Sequence, residues 1–166
     1  QPRYNLLYRE AERELFPACL NQGVGVIVYS PQAGGFLLGK HRKFKAETRA
    51  GGRFSDDFKA VNFYKNTYWN KPAFDAMEQF LSISEKYKVS PMALALSWVR
   101  SNPVVSSCIV GARTLEQMKQ NLIAWKENVP TEAINEATTI GDHLWDTVPW
   151  KPQMHMNATP HPQLRT

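Results

Sequence analysis

Cysteine is scarce in this sequence, and its scarcity excludes whole classes of site. The 166 residues include two cysteines, Cys19 and Cys108, which lie far apart. Two thiols at that separation match neither the ligand spacing of a zinc cluster nor a disulfide framework. Among the four histidines only His155 and His161 lie close together, and both fall in a proline-rich stretch. We therefore expect no metal site and a reducing, cytoplasmic setting.

Long hydrophobic runs are also absent. No stretch approaches the roughly 18 apolar residues that a membrane-spanning helix needs, and no charged-then-apolar leader opens the chain. Hydrophobic residues make up 43% and charged residues 21% of the sequence, which is ordinary for a globular domain. We expect no membrane span.

The excess of positive charge is modest. Lysine and arginine together number 20 against 15 acidic residues, and the two signs are interspersed. The densest basic stretch, residues 40–45, is short and follows glycines. Nucleic-acid-binding domains concentrate their basic residues on one face, so we expect no nucleic-acid partner. A basic loop that faces a phosphorylated small molecule fits the pattern better.

Short apolar runs alternate with amphipathic segments along the chain. Residues 24–30 and 104–111 are runs of the kind that form buried strands, and residues 1–7 have the composition of a strand end. Helices are predicted at residues 9–21, 72–87, 91–102, 114–125 and 131–144. Ser90 before Pro91, and Thr114 with Gln117, are N-cap signals. This alternation indicates parallel β/α units, either part of a barrel or a small open sheet.

Two stretches lack a clear periodicity of hydrophobic residues. Residues 41–68 mix glycine, aspartate, basic and aromatic residues, and we predict a long functional loop there. Residues 147–166 contain four prolines and are predicted to form an irregular tail. The predicted domain therefore spans residues 1–146.

The segments that carry candidate ligand-binding residues follow the two predicted strands. YSPQAGGFLLGK (residues 29–40) follows the first, GARTLEQMKQN (residues 111–121) follows the second, and QPRYNLLYREAERELFPACLNQGVGV opens the chain. Ligands of α/β folds bind at this carboxyl end of the strands. Over residues 1–124 these motifs resemble the aldo-keto reductase superfamily, and most of all the branch that includes potassium-channel β-subunits and related bacterial and fungal reductases.

The resemblance implies an α/β fold in which this chain supplies the C-terminal part of a (β/α)8 TIM barrel, about the last three strands with their helices. Such a barrel takes about 250 residues, so a missing N-terminal barrel segment is the implied partner. The resemblance also implies NADP(H) as cofactor and a small-molecule carbonyl compound as substrate.

The first motif carries the nicotinamide and pyrophosphate contacts that the resemblance implies. Gln1 matches a residue that contacts the nicotinamide carboxamide, and Tyr29 matches an aromatic residue that stacks on the nicotinamide ring. The loop around the pyrophosphate and ribose is matched by Ser30, Pro31, Gln32, Ala33 and Gly34. Lys40 and, across a variable loop, Arg49 match basic residues near the phosphates. Without the resemblance, Tyr29 would be taken for a core aromatic at a strand end.

The second motif matches the adenosine half of the cofactor site. The turn that meets the 2′-phosphate is matched by Gly111, Ala112 and Arg113, with Gln117 beside it. Asn121 and Gln120 match positions that contact the adenine. A helix N-terminus and a guanidinium group both favour an anion, which agrees with NADP(H) rather than NAD(H).

Two residues depart from the family pattern. Gln32 stands where leucine is usual, which adds an amide beside the pyrophosphate. Gln120 stands where an acid is common, so we expect a weaker adenine contact there.

The family's catalytic set is expected upstream of Gln1. It comprises a tyrosine general acid, a lysine, an aspartate and a histidine or asparagine, so we assign no catalytic residue here. Because the chain opens with glutamine rather than methionine, we expect that processing or truncation has removed a segment. We predict an NADP(H)-dependent oxidoreductase of aldehydes or ketones whose C-terminal portion is inactive alone. The alternatives are a non-catalytic, cofactor-binding regulatory subunit and an inactive truncated product.

Overall fold

The computed structural model describes residues 1–41 and 52–147, except for the side chains of residues 145–147. Within these residues the chain forms a small parallel sheet with helices packed against it. The predicted α/β class is thereby confirmed.

The sheet contains two strands, β1 (Val26–Tyr29) and β2 (Val105–Ile109), which pair in parallel. Tyr29 lies opposite Ile109, and the register shifts by one residue between Val26 and Ile27. On the other side of β1, Arg3 forms a parallel bridge with Tyr29. The strand expected at residues 1–7 is therefore reduced to a single bridge with β1 and a second, local bridge between Asn5 and Tyr8, and β1 lies between this segment and β2.

In the described part of the chain, six α-helices and two 3-10 segments accompany the sheet. In chain order the helices are α1 (Leu15–Asn21), α2 (Val61–Tyr68), α3 (Lys71–Lys86), α4 (Pro91–Ser101), α5 (Leu115–Lys126) and α6 (Thr131–Thr147). The 3-10 segments are Glu10–Glu12 and Ala33–Leu38. Helices α3 to α6 agree with the predicted segments to within a few residues.

The predicted N-caps form as the sequence indicates. Ser90 Oγ accepts a hydrogen bond from the amide of Ala93 at 3.1 Å, which caps α4. Thr114 Oγ1 accepts from the amide of Gln117 at 3.2 Å, which caps α5. The carboxylate of Glu127 accepts bonds from both the amide and the hydroxyl of Ser90. The end of α5 is therefore fastened to the start of α4.

Two predictions from the sequence need correction. The helix expected over residues 9–21 is divided into the segment Glu10–Glu12 and the short helix α1. The stretch from 41 to 68, predicted as a continuous loop, ends in α2. Tyr64 and Tyr68 lie four residues apart and are both buried, so their packing fixes a helix whose apolar spacing is obscured by neighbouring polar residues. Residues 42–51 and the tail from 148 onward lie outside the described residues.

The core lies on one side of the sheet, between β1, β2 and helices α3, α4 and α6. Its fully buried residues include Val28, Phe36, Leu37, Met77, Phe80, Leu94, Val99, Ala133 and Ala137. Elsewhere large apolar side chains are exposed. Ile27 and Ile109 on the sheet are each 43% exposed, and Leu122 and Ile123 on α5 are 55% and 67% exposed. None of the described helices has the length and apolar character required to cross a membrane.

The cap at Ser90 provides a test of this packing. Replacing Ser90 by alanine should lower the free energy of unfolding by about 1–2 kcal/mol, because it removes both the cap and the hydroxyl contact with Glu127. Ser82→Ala is the matched control. Ser82 is exposed on α3 and bonds only within its own helix, so its loss should cost about 0.5 kcal/mol or less. Equal losses in chemical denaturation would contradict the assignment of Ser90 as a cap.

Candidate functional site

Two loop segments meet beyond the carboxyl ends of the parallel strands. The first, residues 30–40, follows β1, and the second, residues 110–121, follows β2 and enters α5. Parallel strands end at the same edge of a sheet, so the two segments lie side by side, as expected for a ligand site in an α/β fold.

The first segment turns sharply through left-handed backbone. Ser30 and Ala33 have φ angles of 60° and 53°, and Gly34 and Gly35 have φ angles of 69° and 91°. Such angles cost energy for residues other than glycine and concentrate at ligand sites. The turn buries Ala33 and Phe36 completely in the core. These two buried side chains anchor the first segment.

Gly34 is required for close packing as well as for its backbone angle. A Cβ placed on Gly34 would lie 2.5 Å from Cε1 of Tyr64, far inside contact distance. Helix α2 therefore packs directly on the backbone of the first segment.

Among the described residues, Ser30 has a buried side-chain oxygen that is left unsatisfied. Its Oγ is buried and has no hydrogen-bond partner among the described residues. Leaving a buried hydroxyl unpaired costs about 1–3 kcal/mol. A group of this kind at the end of a strand is a natural contact for a ligand that brings its own polar atoms.

The backbone of Ser30 is fixed by Asn5, a residue that the sequence analysis did not single out. Asn5 is fully buried, and its Nδ2 donates to the Ser30 carbonyl at 3.0 Å and to the Tyr68 hydroxyl at 2.9 Å. Its Oδ1 accepts from the amide of Leu7 at 3.0 Å. Burial raises the pKa of Tyr68 to about 12, so the hydroxyl stays protonated. Only the buried bonds reveal this role, because a lone asparagine carries no motif.

The second segment is exposed and ends in a capped helix. Gly111, Ala112 and Arg113 are all exposed, and Arg113 immediately precedes the cap residue of α5. The side chain of Gln117 accepts from the amide of Arg113 at 2.8 Å. Gln117 therefore shapes the turn itself, although it bonds the amide one residue before the cap residue Thr114 that a capping box would use.

The two segments are joined by a pair of amide side chains. Gln32 Nε2 donates to Asn121 Oδ1 at 2.9 Å, and Asn121 Nδ2 donates to the Gly111 carbonyl at 3.4 Å. Asn121 is only 4% exposed. We call this set of contacts, Gln32 to Asn121 to Gly111, the amide clasp.

Arg53 is a second residue that the sequence analysis missed. Its Nη2 lies 4.0 Å from where a Cβ of Gly111 would be, and its Cδ lies 3.6 Å from where a Cβ of Gly34 would be. Its guanidinium packs over the rings of Phe58 and Tyr64. Arg53 thus lies between the two segments. The only sequence signal was a basic residue in the irregular stretch, where Lys40 and Arg49 had been selected instead.

The remaining predicted residues differ in how closely they approach this arrangement. Tyr29 ends β1 and is half-buried, and Pro31 is buried in the turn. Gln1 is exposed, but its neighbour Pro2 accepts a backbone bond from Tyr29 at 3.0 Å.

Lys40 and Gln120 are not drawn into the amide clasp. Lys40 is exposed beyond the turn. Gln120 is exposed, and its side chain donates to Glu116 on α5 at 3.4 Å. Arg49 lies outside the described residues. In the described part of the chain, no group of three potential metal ligands is present.

Comparison with known proteins identifies the family. A sequence model of the aldo/keto reductase family matches residues 1–142, which is most of the chain. The chain belongs to the aldo/keto reductase family. The resemblance found in the sequence motifs is thereby confirmed, including its similarity to potassium-channel β-subunits.

Three relatives illustrate the range of the family. An aldo-keto reductase of Pseudocercospora fijiensis is 31% identical over 74% of this chain and 43% of its own length. A putative voltage-gated potassium channel subunit beta of Schizosaccharomyces pombe is 36% identical over 75% of this chain and 36% of its own length. Aflatoxin B1 aldehyde reductase member 2 of Homo sapiens is 31% identical over 87% of this chain and 43% of its own length. The chain spans less than half the length of each.

Gly34 offers a direct test of the turn. Gly34→Ala combines an unfavourable φ of 69° with a clash against the Tyr64 ring, whereas Gly23→Ala has a similar φ of 65° and no neighbouring atom within 4 Å. The Gly23 variant should lose about 1–2 kcal/mol of stability through backbone strain. The Gly34 variant should lose about 1–3 kcal/mol more through overpacking. Equal midpoints in thermal unfolding would show that Tyr64 does not pack against this glycine.

Proposed function

We propose that this chain forms the NADP(H) site of an oxidoreductase that acts on aldehydes or ketones. The observation that carries the proposal is that two strand-end segments meet, and that the first of them begins with a buried hydroxyl, Ser30 Oγ, that has no hydrogen-bond partner among the described residues. Gly34 lets the first segment turn tightly against Tyr64, where a Cβ would lie 2.5 Å from the ring, and so fixes the backbone next to Ser30.

The proposed contacts divide between the two segments. Tyr29 would stack on the nicotinamide ring and Gln1 would bond its carboxamide. The pyrophosphate and its ribose would be bound by Ser30, Pro31, Gln32, Ala33 and Gly34, with Lys40 and Arg49. The adenosine 2′-phosphate would be bound by Gly111, Ala112, Arg113 and Gln117, and the adenine by Gln120 and Asn121.

The charges near the second segment support NADP(H) over NAD(H). Arg113 is exposed at the N-terminus of a twelve-residue helix, where free amide groups and the helix dipole favour an anion. Arg53 adds a second guanidinium within reach of Gly111. Guanidinium groups bind phosphates through paired charge-assisted hydrogen bonds. An extra phosphate on the adenosine ribose would therefore be stabilised here.

When bound, the reduced cofactor supplies hydride to a carbonyl carbon, and the reaction also needs a proton donor. A general acid works best with a pKa near the operating pH. Tyr4 and Tyr8, in the opening segment beside β1, do not meet that need. Burial raises the pKa of Tyr4, whose hydroxyl donates to Glu12 and accepts from Asn102, and burial also raises the pKa of Tyr8. We place the proton donor in sequence preceding Gln1, where the family resemblance implies the catalytic tyrosine.

The exposed apolar residues fit a larger assembly. Ile27 and Ile109 on the sheet, and Leu122 and Ile123 on α5, are substantially exposed. Open sheet edges and apolar faces favour pairing with another segment. We propose that the rest of a (β/α)8 barrel, from sequence preceding Gln1, covers them.

A second candidate function is cofactor sensing by a regulatory subunit. It is favoured by the relatives named as potassium channel β-subunits in Schizosaccharomyces pombe, Arabidopsis thaliana and Oryza sativa, which are 35–36% identical to this chain. The two candidates share the cofactor site and differ in the proton donor. The identity of the residues before Gln1 discriminates between them, because a missing tyrosine argues against reductase chemistry.

The 2′-phosphate assignment predicts a selective loss of affinity. In the full-length protein, Arg113→Ala should weaken NADPH binding by about tenfold or more and leave NADH binding nearly unchanged. The tenfold change corresponds to the loss of one charge-assisted hydrogen bond. Lys119→Ala removes the same charge from an exposed position of the same helix and should alter neither. Equal weakening of both cofactors in fluorescence titrations would make Arg113 a structural residue.

Placing the general acid in sequence preceding Gln1 predicts that the isolated chain is inactive. The 166 residues alone should not reduce an aromatic aldehyde with NADPH, and they should aggregate or require a partner segment because their sheet edges are open. Turnover measured well above a protein-free blank would contradict the first statement. A sharp monomeric peak in size-exclusion chromatography together with cooperative unfolding would contradict the second.

A further inference from the structure

The amide clasp fixes the orientation of Asn121 in the candidate site. The carbonyl oxygen of Gly111 can only accept a hydrogen bond, so the group of Asn121 that faces it at 3.4 Å must be the nitrogen. Asn121 Oδ1 therefore faces Gln32, and the group of Gln32 that lies 2.9 Å away must be its nitrogen. The amide assignments follow from this chain of donors and acceptors.

Gln32 is held firmly in place. Its carbonyl accepts backbone bonds from Gly35 at 2.9 Å and Leu37 at 3.4 Å, which close the turn at the start of Ala33–Leu38. The neighbouring residue Ala33 is fully buried. A side chain on so constrained a backbone loses little additional freedom when it makes a hydrogen bond.

The clasp changes what Asn121 can offer to a ligand. An asparagine amide carries two N–H donors and one carbonyl oxygen. In this chain the oxygen is taken by Gln32 and one N–H by Gly111. Asn121 is only 4% exposed, so a ligand reaches little of its amide, and Gln32 already occupies the oxygen. The group left for a ligand is therefore the second N–H.

We propose that Gln32 is a specificity-determining residue, which occupies the carbonyl oxygen of Asn121 so that the site offers the cofactor's purine a donor but no acceptor. This inference rests on the proposed cofactor site. A purine with a 6-amino group and one with a 6-oxo group both carry an acceptor ring nitrogen for that N–H. The chain should therefore discriminate weakly between adenine and hypoxanthine.

Removing the amide of Gln32 should restore discrimination. In Gln32→Leu the carbonyl oxygen of Asn121 is free to accept from the 6-amino group of adenine, whereas the 6-oxo group of hypoxanthine repels it. One such hydrogen bond corresponds to about a fivefold to tenfold preference in affinity. A leucine at this position has no donor, and its apolar side chain leaves the backbone turn unchanged.

The test compares the binding of two cofactors to the full-length protein. Equilibrium titrations with NADP+ and with its hypoxanthine analogue, nicotinamide hypoxanthine dinucleotide phosphate, should give affinities within about threefold of each other for the unaltered protein. Gln32→Leu should prefer NADP+ by about fivefold or more. Gln22→Leu, the same change at an exposed position at the end of α1, should keep the ratio of the unaltered protein.

A double-substitution cycle separates the clasp from a general disturbance of the loop. In an Asn121→Ala background, Gln32→Leu should no longer change the adenine-to-hypoxanthine ratio, because the oxygen that it frees is absent. Gln32→Met also lacks the donor and should give the same adenine-to-hypoxanthine ratio as Gln32→Leu. It serves as the test variant if Gln32→Leu does not fold.

The outcomes separate this inference from the proposed function. Failure of the unaltered protein to bind either dinucleotide overturns the cofactor site itself. Binding of both with an unchanged ratio in Gln32→Leu and Gln32→Met overturns the role of Gln32 alone. A strong preference for NADP+ in the unaltered protein overturns it as well, because an acceptor for the 6-amino group would then be present with Gln32 in place.

Discussion

Parallel hydrogen bonding between β1 and β2 determines where every candidate ligand contact lies. Tyr29 pairs with Ile109, so the chain leaves both strands at the same edge and the segments after them become neighbours. Had the strands been antiparallel, Ser30 and Gly111 would lie at opposite ends of the sheet. The connection between the strands contains helices α2, α3 and α4, and these same helices supply much of the core. Core packing and site geometry therefore depend on the same pairing.

The first segment is a rigid loop, because its apolar residues are buried and its backbone is constrained. Ala33 and Phe36 are completely buried, and Asn5 bonds the carbonyl of Ser30 from below. Strained angles at Ser30 and Ala33 persist because these contacts outweigh their cost. The second segment is different, since Gly111 to Arg113 are exposed and are shaped by the caps of α5. A rigid loop thus faces a more accessible turn, and the amide clasp joins them.

The parts that the sequence predicted are those governed by local rules. Ser90 and Thr114 cap their helices as expected, since capping depends on a few adjacent residues. The family, the two motifs and their nearness also follow from the sequence. Helix α2 did not, because its burial against Gly34 depends on residues thirty positions away. Asn5 and Arg53 were missed for the same reason: their partners are distant in sequence, and neither belongs to a recognised motif.

The clasp also shows why a departure from a family pattern needs a structure to interpret it. From the sequence, Gln32 was an additional amide beside a phosphate loop, and its natural partner would have been the phosphate. In the fold, its nitrogen instead reaches Asn121, which lies 89 positions later in the chain. One substitution in the first motif thereby alters the donor and acceptor pattern of a residue in the second. Because Asn121 is buried and its other contact is to a backbone carbonyl, it cannot turn to compensate. The effect of the Gln32 side chain is therefore expected in the choice of purine, while the backbone of Gln32 stays part of the proposed pyrophosphate loop.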